Sequence, residues 1–579
     1  MPRPRPVPPP VMSEISHRVD DGSPSVSLSH RKKSWSRRKV LGATAAGTVA
    51  AAVGAFGVAK AATTSSTAAA GSAPGDVVGK ISVGYQGWFA AKGDSSPING
   101  WWHWAKDMSK APSPSNTGIK SWPDMREYTQ TYQTAYAALG NGDPATLFSS
   151  YDQQTVDTHF KWMKQYGIDT AALQRFNPTG GEGPTRDDMA AKVRSAAEAQ
   201  GVKFYIMYDV TGWTSMQSEI KADWTDKMKA YTSSSAYATQ NGKPVVCVWG
   251  FGFNDDKRDF SASACLDVVN WFKNQGCYVI GGIPHDWRTG GTGTRAGFTD
   301  VFHAFNMISP WMVGAIGKAA DSDNYYENVN KGDQAECDAK GIDYQPCVLP
   351  GDVSERQRAH GDLMWRQFYN MVRLGAQGIY ISMFDEYNEG NQIAKTAETQ
   401  ASVPSDSGIL ALDEDGTACS SDYYLRLTGD GGRMLKGQIA LTATRPTLPV
   451  AGQVVSFKAG VNGKYVTAEN TGTSALIANR TAVGTWEKFD MVDAGSGTIA
   501  LYSHADSRFV TAGSSPLIAD STSAGRAQTF QLVHNSDGTV SLLASATGKY
   551  VTAEDAGDSP LIADRTAIGP WEKFTLITA

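Results

Sequence analysis

Three blocks near the C-terminus repeat so closely that they dictate a shape. Lys464-Tyr465-Val466-Thr467-Ala468-Glu469 returns as Lys549-Tyr550-Val551-Thr552-Ala553-Glu554, 85 residues later. Leu476-Ile477-Ala478 and Trp486-Glu487-Lys488-Phe489 return at the same offset as Leu561-Ile562-Ala563 and Trp571-Glu572-Lys573-Phe574. A degenerate middle copy lies between them, at Arg508-Phe509-Val510-Thr511-Ala512, Leu517-Ile518-Ala519-Asp520 and Gln528-Thr529-Phe530. Each copy is a set of short strand-like runs of about 42 residues, too small to bury its own apolar face. Three copies therefore predict a closed, all-β, threefold domain over 452–579.

The region before the repeats reads differently. Eight short, nearly continuous apolar runs (81–88, 169–176, 203–210, 244–251, 278–284, 301–311, 344–350 and 375–384) alternate with helical segments. Continuous apolar runs fit strands covered on both faces, as in a parallel sheet. The expected helices include 153–166 with Gly167 beyond its end, 189–200 capped from Thr185 with Gly201 after it, and a long helix starting at Ser354. The segment after the fifth run is short and less clear. Eight βα units over 78–446 predict an α/β fold, a (β/α)8 TIM barrel. An open doubly wound sheet is the alternative, and no Gly-x-Gly-x-x-Gly loop follows the first run to support it.

The N-terminus is expected to be an address rather than a fold. Ser36-Arg37-Arg38-Lys39-Val40-Leu41-Gly42 precedes an Ala/Gly/Val run ending at Ala59-Lys60-Ala61. This is similar to a twin-arginine signal over 1–61, followed by a linker over 62–77, and implies a secreted, extracellular protein with no membrane span once processed. The six cysteines (247, 265, 277, 337, 347 and 419) show no metal-ligand spacing. In an oxidising compartment Cys337 and Cys347 are candidates to close a short loop, and buried thiols are the alternative. A net charge of −5 lacks the basic excess of a nucleic-acid binder.

In a parallel barrel, chemistry gathers where strands end. The eighth run ends in Phe384-Asp385-Glu386-Tyr387-Asn388-Glu389-Gly390. Two carboxylates there suit general acid/base work on a glycosidic bond, which needs one proton donor and one acceptor. They can face one cleft only if the chain turns after Phe384; Asp385 is expected to anchor neighbouring loop amides. A salt bridge from the glutamates to Arg175 or Arg288 is the structural alternative. The other strand ends supply candidate substrate contacts: Tyr85, Trp88, Arg175, Asp209, Trp213, Trp249, Asp286, Trp287, Asn306 and Trp311, with Tyr387 and Asn388 between the glutamates. The 16 Trp and 22 Tyr of the chain, concentrated in part at these ends, suit sugar rings. No metal or organic cofactor is expected; a metal site of Asp209, His285 and Asp286 lacks ligand spacing.

Asp-Glu-Tyr-Asn-Glu-Gly-Asn-Gln-Ile, at 385–393, resembles the motif of glycoside hydrolase family 99, the endo-α-mannosidases and endo-α-mannanases, and of the related family 71 α-1,3-glucanases. Glu386, Glu389, Gly390 and Ile393 match, whereas Tyr387-Asn388 stands where family 99 has Trp-His. Asp209 is the nearest counterpart of that family's acidic motif after strand three. The resemblance implies Glu386 as general base and Glu389 as general acid, the base taking a proton from the sugar's own 2-hydroxyl. That route retains configuration and requires a 1,2-trans substrate such as an α-mannoside. It further implies a raised pKa for Glu389 and an ionised Glu386. Xylosidase- or arabinosidase-like and α-glucanase activities, and a non-catalytic carbohydrate-binding protein, are the alternatives. The C-terminal repeats resemble the fascin-like β-trefoil family, whose partners are diverse; a carbohydrate or cell-surface ligand and a solubilising or interdomain role are the alternatives, and the repeated Tyr, Trp and Phe positions are expected to be core rather than sugar platforms.

Overall fold

The computed structural model describes residues 71–578, apart from Ser496 and Ser523. The expected signal region and most of the linker lie outside the described residues. Strand one (Ile81–Tyr85) pairs in parallel with Thr170–Arg175 on one side and Ile379–Ile381 on the other. Lys203–Asp209, Lys243–Trp249, Tyr278–Pro284 and Met307–Trp311 follow in order, each parallel to its predecessor. Strand seven is split: Asp343–Tyr344 pairs with strand six, and Cys347–Val348 with strand eight. Gln345-Pro346 makes the break, since proline brings no N–H to the ladder. The backbone bonds of Gln345 N to Ile308 O and Tyr380 N to Pro346 O carry the sheet across it. The parallel sheet thus curls round on itself, as a (β/α) barrel does.

A helix follows every strand: Gln153–Gln165, Gly183–Gln200, Met216–Asp226, Ala262–Asn274, Thr299–Ala304, Ala319–Tyr325 with Lys331–Lys340, Asp362–Leu374 and Tyr423–Leu435. Strands one, two and five are buried along their whole length, which is why their sequences read as unbroken apolar runs.

Several expected boundaries are corrected. The sixth run is not one strand: its first part is the helix Thr299–Ala304, and the strand begins at Met307. An apolar stretch this short shows no period that separates helix from strand. The second helix begins at Gly183, with Pro184 in its first turn, so Thr185 lies inside it and buried. Ser354 starts no helix; its hydroxyl donates to Asp352. The long helix starts at Asp362, because Ala359, His360 and Gly361 take positive φ just before it. All six cysteines are buried free thiols, so Cys337 and Cys347 do not close a loop.

The C-terminal region is a separate, antiparallel, barrel-like sheet. Gln453–Ala459, Phe489–Gly495, Thr498–Ser503, Thr529–His534, Val540–Ala544 and Phe574–Thr578 pair in succession, and the last returns to the first. Three hairpins branch from this ring, Tyr465–Ala468 with Leu476–Arg480, Arg508–Thr511 with Ile518–Ser521, and Lys549–Thr552 with Ile562–Arg565. They meet in a triangle of 2.8 Å backbone bonds: Leu476 N to Leu517 O, Leu517 N to Leu561 O, and Leu561 N to Leu476 O. Each repeat also fastens a tight turn with one side chain. Glu487, Gln528 and Glu572 accept from the amides of Gly484, Gly525 and Gly569. Val455, Phe457, Phe489, Phe530 and Phe574 fill the interior.

Ala418 and Val450 join Val492, Ala500 and Phe509 in an apolar cluster that ties this sheet to the barrel region. Arg426 adds bonds to the carbonyls of Leu448 and Pro449. Among the described residues, no helix is long and apolar enough to cross a membrane.

Candidate active site

Past strand eight the chain still follows strand one, with Phe384 N donating to Gly84 O at 2.8 Å. Asp385 is wholly buried, and its two oxygens accept from the amides of Gln86 and Gly87, each at 2.8 Å. This is the anchor expected from sequence. Burial pushes its carboxyl up to about 6, against the pull of the two amides. The chain then turns: Glu389 N and Asn391 N both donate to Glu386 O, at 3.2 and 3.3 Å. The return leg pairs with the outgoing one through Met383 N to Asn391 O and Ile393 N to Met383 O.

Gly390 completes the turn at φ 71°, and a Cβ there would lie 2.6 Å from Asp352 Oδ1. Arg358, almost fully buried, donates to the carbonyls of Gly351, Gly390 and Gln392 and so clamps the loop from below. Two glutamates three residues apart are thereby brought to one rim of the barrel mouth.

Glu386 is 4% exposed. Its Oε1 accepts from Gln86 Nε2 at 3.0 Å, while Oε2 is buried with no protein partner. Burial, and next the charge of Glu389, raise the Glu386 carboxyl well above the usual range; Asp385 and Asp209 add to this and the Gln86 donor opposes it. The physical reason is enclosure among like charges, since Arg175 and Arg288, the cations considered as partners, are committed elsewhere. Glu389 is half-buried. Lys120 lies near it with its ammonium 2.7 Å from Asp352. Burial lowers the Lys120 pKa, but Asp352, Glu355 and Glu389 outweigh that and hold it above the usual lysine value.

Aromatic rings flank the pair. Trp88 stacks on His103 (centroids 3.7 Å apart, planes within 15°) and, on strand two's exit, on Phe176. Burial, then Arg186, depress the His103 imidazole far below its ordinary value, so it acts as a neutral ring. Across the mouth, Trp249 packs against Phe253 and, edge to face, Trp311, with the Arg258 guanidinium over it. Asp209 is held by the Thr211 amide, and burial raises its carboxyl. Seven buried polar atoms here have no protein partner: Gln86 Oε1, Trp88 Nε1, Trp102 Nε1, His103 Nε2, Trp249 Nε1, Glu386 Oε2 and Asn388 Oδ1. Orphaned buried donors and acceptors are uncommon in folded proteins. Donors and acceptors mixed among flat rings match a polyhydroxylated ligand.

The structure thus brings Trp88, Asp209, Trp249, Trp311, Asn388, Glu386 and Glu389 to the strand-end side. The other candidates serve the scaffold. Tyr85 turns outward, its hydroxyl on His159 Nδ1 at 3.0 Å and its ring against Phe160. Tyr387 is wholly buried and donates to Lys395 O. Arg175 pairs with Asp223 at 2.5 Å and Asp187 at 2.6 Å, and Arg288 with Asp333. Trp213 is buried and donates to Glu219, while Trp287 packs edge-on to Phe302 and His303. Asp286 fastens its own loop through Gly293 N and Thr294 Oγ1. Asn306 precedes strand six, where its Oδ1 accepts from Val279 N, at the opposite end from the mouth. Among the described residues no group of three or more His, Cys, Asp or Glu could hold a metal ion.

Gln86, Trp102, His103 and Arg258 are additions that the candidate set lacked. The run Trp101-Trp102-His103-Trp104, in a loop rather than a strand, is the signal for two of them. A groove of about 520 Å³ beside the helix Gly183–Gln200, lined by Arg194, Glu198, Lys227 and Tyr231, contains none of the candidates.

No family model matches the chain, and no curated protein matches it. Among solved structures, it is similar to the GH99 endo-α-mannosidase from Bacteroides thetaiotaomicron, at 15% identity and TM-score 0.45, covering 62% of this chain and 98% of that one. A designed threefold-symmetric protein, ThreeFoil, aligns with 21% of this chain and 97% of its own, at 25% identity and TM-score 0.20. The BEL β-trefoil aligns with 23% of this chain and 98% of its own, at 11% identity and TM-score 0.21. None of these similarities is high enough to transfer the role of a residue.

Proposed function

We propose that this chain is an exported, retaining glycoside hydrolase acting on α-linked, 1,2-trans glycans, with α-mannan as the leading substrate. The observation that supports this is the turn at 386–391, which brings Glu386 and Glu389 together beside orphaned donors and acceptors and half-buried aromatic rings. The barrel spans 78–446, follows a twin-arginine signal (1–61) and a linker (62–77), and precedes a fascin-like β-trefoil over 452–579. The substrate class rests on the match of Glu386, Glu389, Gly390 and Ile393 to the family 99 motif. Pentose polymers are the runner-up on this route; α-1,3-glucan, whose 2-hydroxyl is cis to the leaving group, is a runner-up only by a different mechanism.

In the first step Glu386 takes the proton of the sugar 2-hydroxyl, and the resulting oxygen attacks C1 from the face opposite the leaving group. Glu389 gives its proton to the departing glycosidic oxygen, leaving a 1,2-anhydro sugar. In the second step Glu389, now ionised, takes a proton from water as that water attacks C1. The epoxide C1–O bond opens, and Glu386 returns a proton to O2. Configuration at C1 is inverted twice and so retained.

The step requires one proton on the pair, residing on Glu389. The surroundings of Glu386 oppose its charge, so substrate must favour its ionised form. A 2-hydroxyl donating to Glu386 does so, because a hydrogen bond to the charged form lowers its pKa. Trp88, Trp249 and Trp311 offer sugar platforms, and Gln86, Asp209 and Asn388 offer hydroxyl contacts. No step calls for a metal or organic cofactor.

The test is a product screen on α-mannan, arabinan, arabinoxylan and α-1,3-glucan, with NMR of the first-formed anomer. Glu386→Gln and Glu389→Gln are each expected to lower kcat/KM by about 10²–10⁴-fold. Undiminished turnover in both variants sinks the assignment, and an inverted first product rules out the epoxide route.

A further inference from the structure

The middle repeat of the C-terminal sheet is an internal control on the other two. Positions that the fold requires are kept in all three copies: Val466, Val510 and Val551 in the hairpins, Leu476, Leu517 and Leu561 in the central triangle, and Phe489, Phe530 and Phe574 in the core. A second set is shared only by repeats one and three. Trp486 and Trp571 are replaced by Ala527 in the middle copy, Glu469 and Glu554 by Gly513, and Arg480 and Arg565 by Ser521. The middle copy folds without them, so the fold does not explain them.

Their placement makes two matching constellations. Ala468 N donates to Trp486 O, and Ala553 N to Trp571 O, which brings the backbone of each tryptophan against the residue that precedes Glu469 or Glu554. Arg480 reaches across its hairpin to Glu469 at 2.7 Å, and Arg565 pairs likewise with Glu554. Both tryptophans are half-exposed, and neither joins the apolar core. Next to each arginine stands one more polar residue, Asn479 or Asp564, whose Oδ1 is buried without a protein partner. In the middle copy the equivalent Asp520 Oδ1 is used internally, accepting from Thr511. A flat indole, a fixed carboxylate–guanidinium pair and an unused acceptor meet the needs of a sugar: a C–H face to stack and hydroxyls to bind.

We propose that repeats one and three each carry a sugar-binding site for a hexose or pentose unit of a polysaccharide, built on Trp486, Glu469 and Arg480 and on Trp571, Glu554 and Arg565, with no counterpart in repeat two. Two sites on one rigid sheet make the domain a bivalent anchor for a repeating polymer. The claim is independent of the chemistry in the barrel.

The test uses the full chain carrying Glu386→Gln and Glu389→Gln, so that no polymer is consumed, applied to immobilised α-mannan, arabinan, arabinoxylan and α-1,3-glucan. At least one polymer is expected to retain it. Trp486→Ala or Trp571→Ala alone should weaken that retention by about 10²–10⁴-fold, as loss of one of two linked sites does, and the two together should abolish it. Arg526→Ala, in the middle repeat, should change nothing. Glu469→Gln with Glu554→Gln provides a second, milder disruption should the alanine variants unfold, and it too should weaken retention. Retention of the parent on none of the four polymers, or equal retention of the parent and a folded double variant, overturns the proposal.

Discussion

Replacing Asp385 with asparagine separates the worth of a hydrogen bond from the burden of a buried charge. In the wild type both carboxylate oxygens are used, by the amides of Gln86 and Gly87. An asparagine keeps one acceptor and turns an N–H toward the other amide, which loses about 1–3 kcal/mol. Against this, burial lifts the Asp385 carboxyl from 3.8 to about 6. A shift of about 2 units corresponds to ~3 kcal/mol of charge destabilisation, which the amide does not suffer. Because the folded pKa is the higher one, the folded state holds the extra proton between about pH 4 and pH 6. Wild-type stability relative to Asp385→Asn must therefore fall as pH rises through that window and level off above it. Urea unfolding of both proteins from pH 4.5 to 7.5, followed by Trp fluorescence, measures the difference. The variant should be clearly less stable than wild type at the acid end and close to it at pH 7.5. A stability difference that is flat, or that grows with pH, would refute the reasoning. It would mean that the two amides compensate the charge fully.

Gly390→Ala should destabilise the chain by about 1–2 kcal/mol from its left-handed backbone alone, with a further clash on Asp352. The measured loss of kcat should exceed what the unfolded fraction explains, because Glu389 is the neighbouring residue. Glu572 accepts from Gly569 N and Thr552 Oγ1, while in repeat two Gln528 accepts from Gly525 N and donates its Nε2 to Thr511 Oγ1. Glu572→Gln should therefore be nearly neutral in thermal unfolding, and Glu572→Ala should cost about 1–3 kcal/mol for the unpaired buried groups. Equal effects of the two substitutions would contradict that account.

The barrel was legible in the sequence because seven of its strands stand as separate, largely buried apolar runs. The exception, strand six, shares its apolar run with the short helix Thr299–Ala304, and that merger moved Asn306 to the wrong end. The carboxylate pair was legible for a similar reason, since charge at the end of an apolar run has few structural uses. The aromatic candidates were harder. Successive residues leaving a strand point to opposite sides, so Tyr85 faces the helix layer while Gln86 reaches Glu386. Composition sees a tyrosine and a glutamine at a strand end and favours the wrong one. The Arg175 and Tyr387 contacts depend on partners 12 to 48 residues away or on a folded loop, which no local pattern encodes. Distances between the glutamates and the two aromatic walls are likewise products of closure rather than of spacing along the chain.

The antiparallel ring is closed by Phe574–Thr578 lying against Gln453–Ala459, strands separated by over a hundred residues. Until the later strand has been made, the earlier one has an open edge and Phe457 lacks its neighbour Phe574. Contacts this distant form late. A chain interrupted anywhere in its final tenth would carry a complete barrel with an unlatched appendage, its bare edge offered to other chains. The strand that completes the ring is thus also the one that hides its open edge.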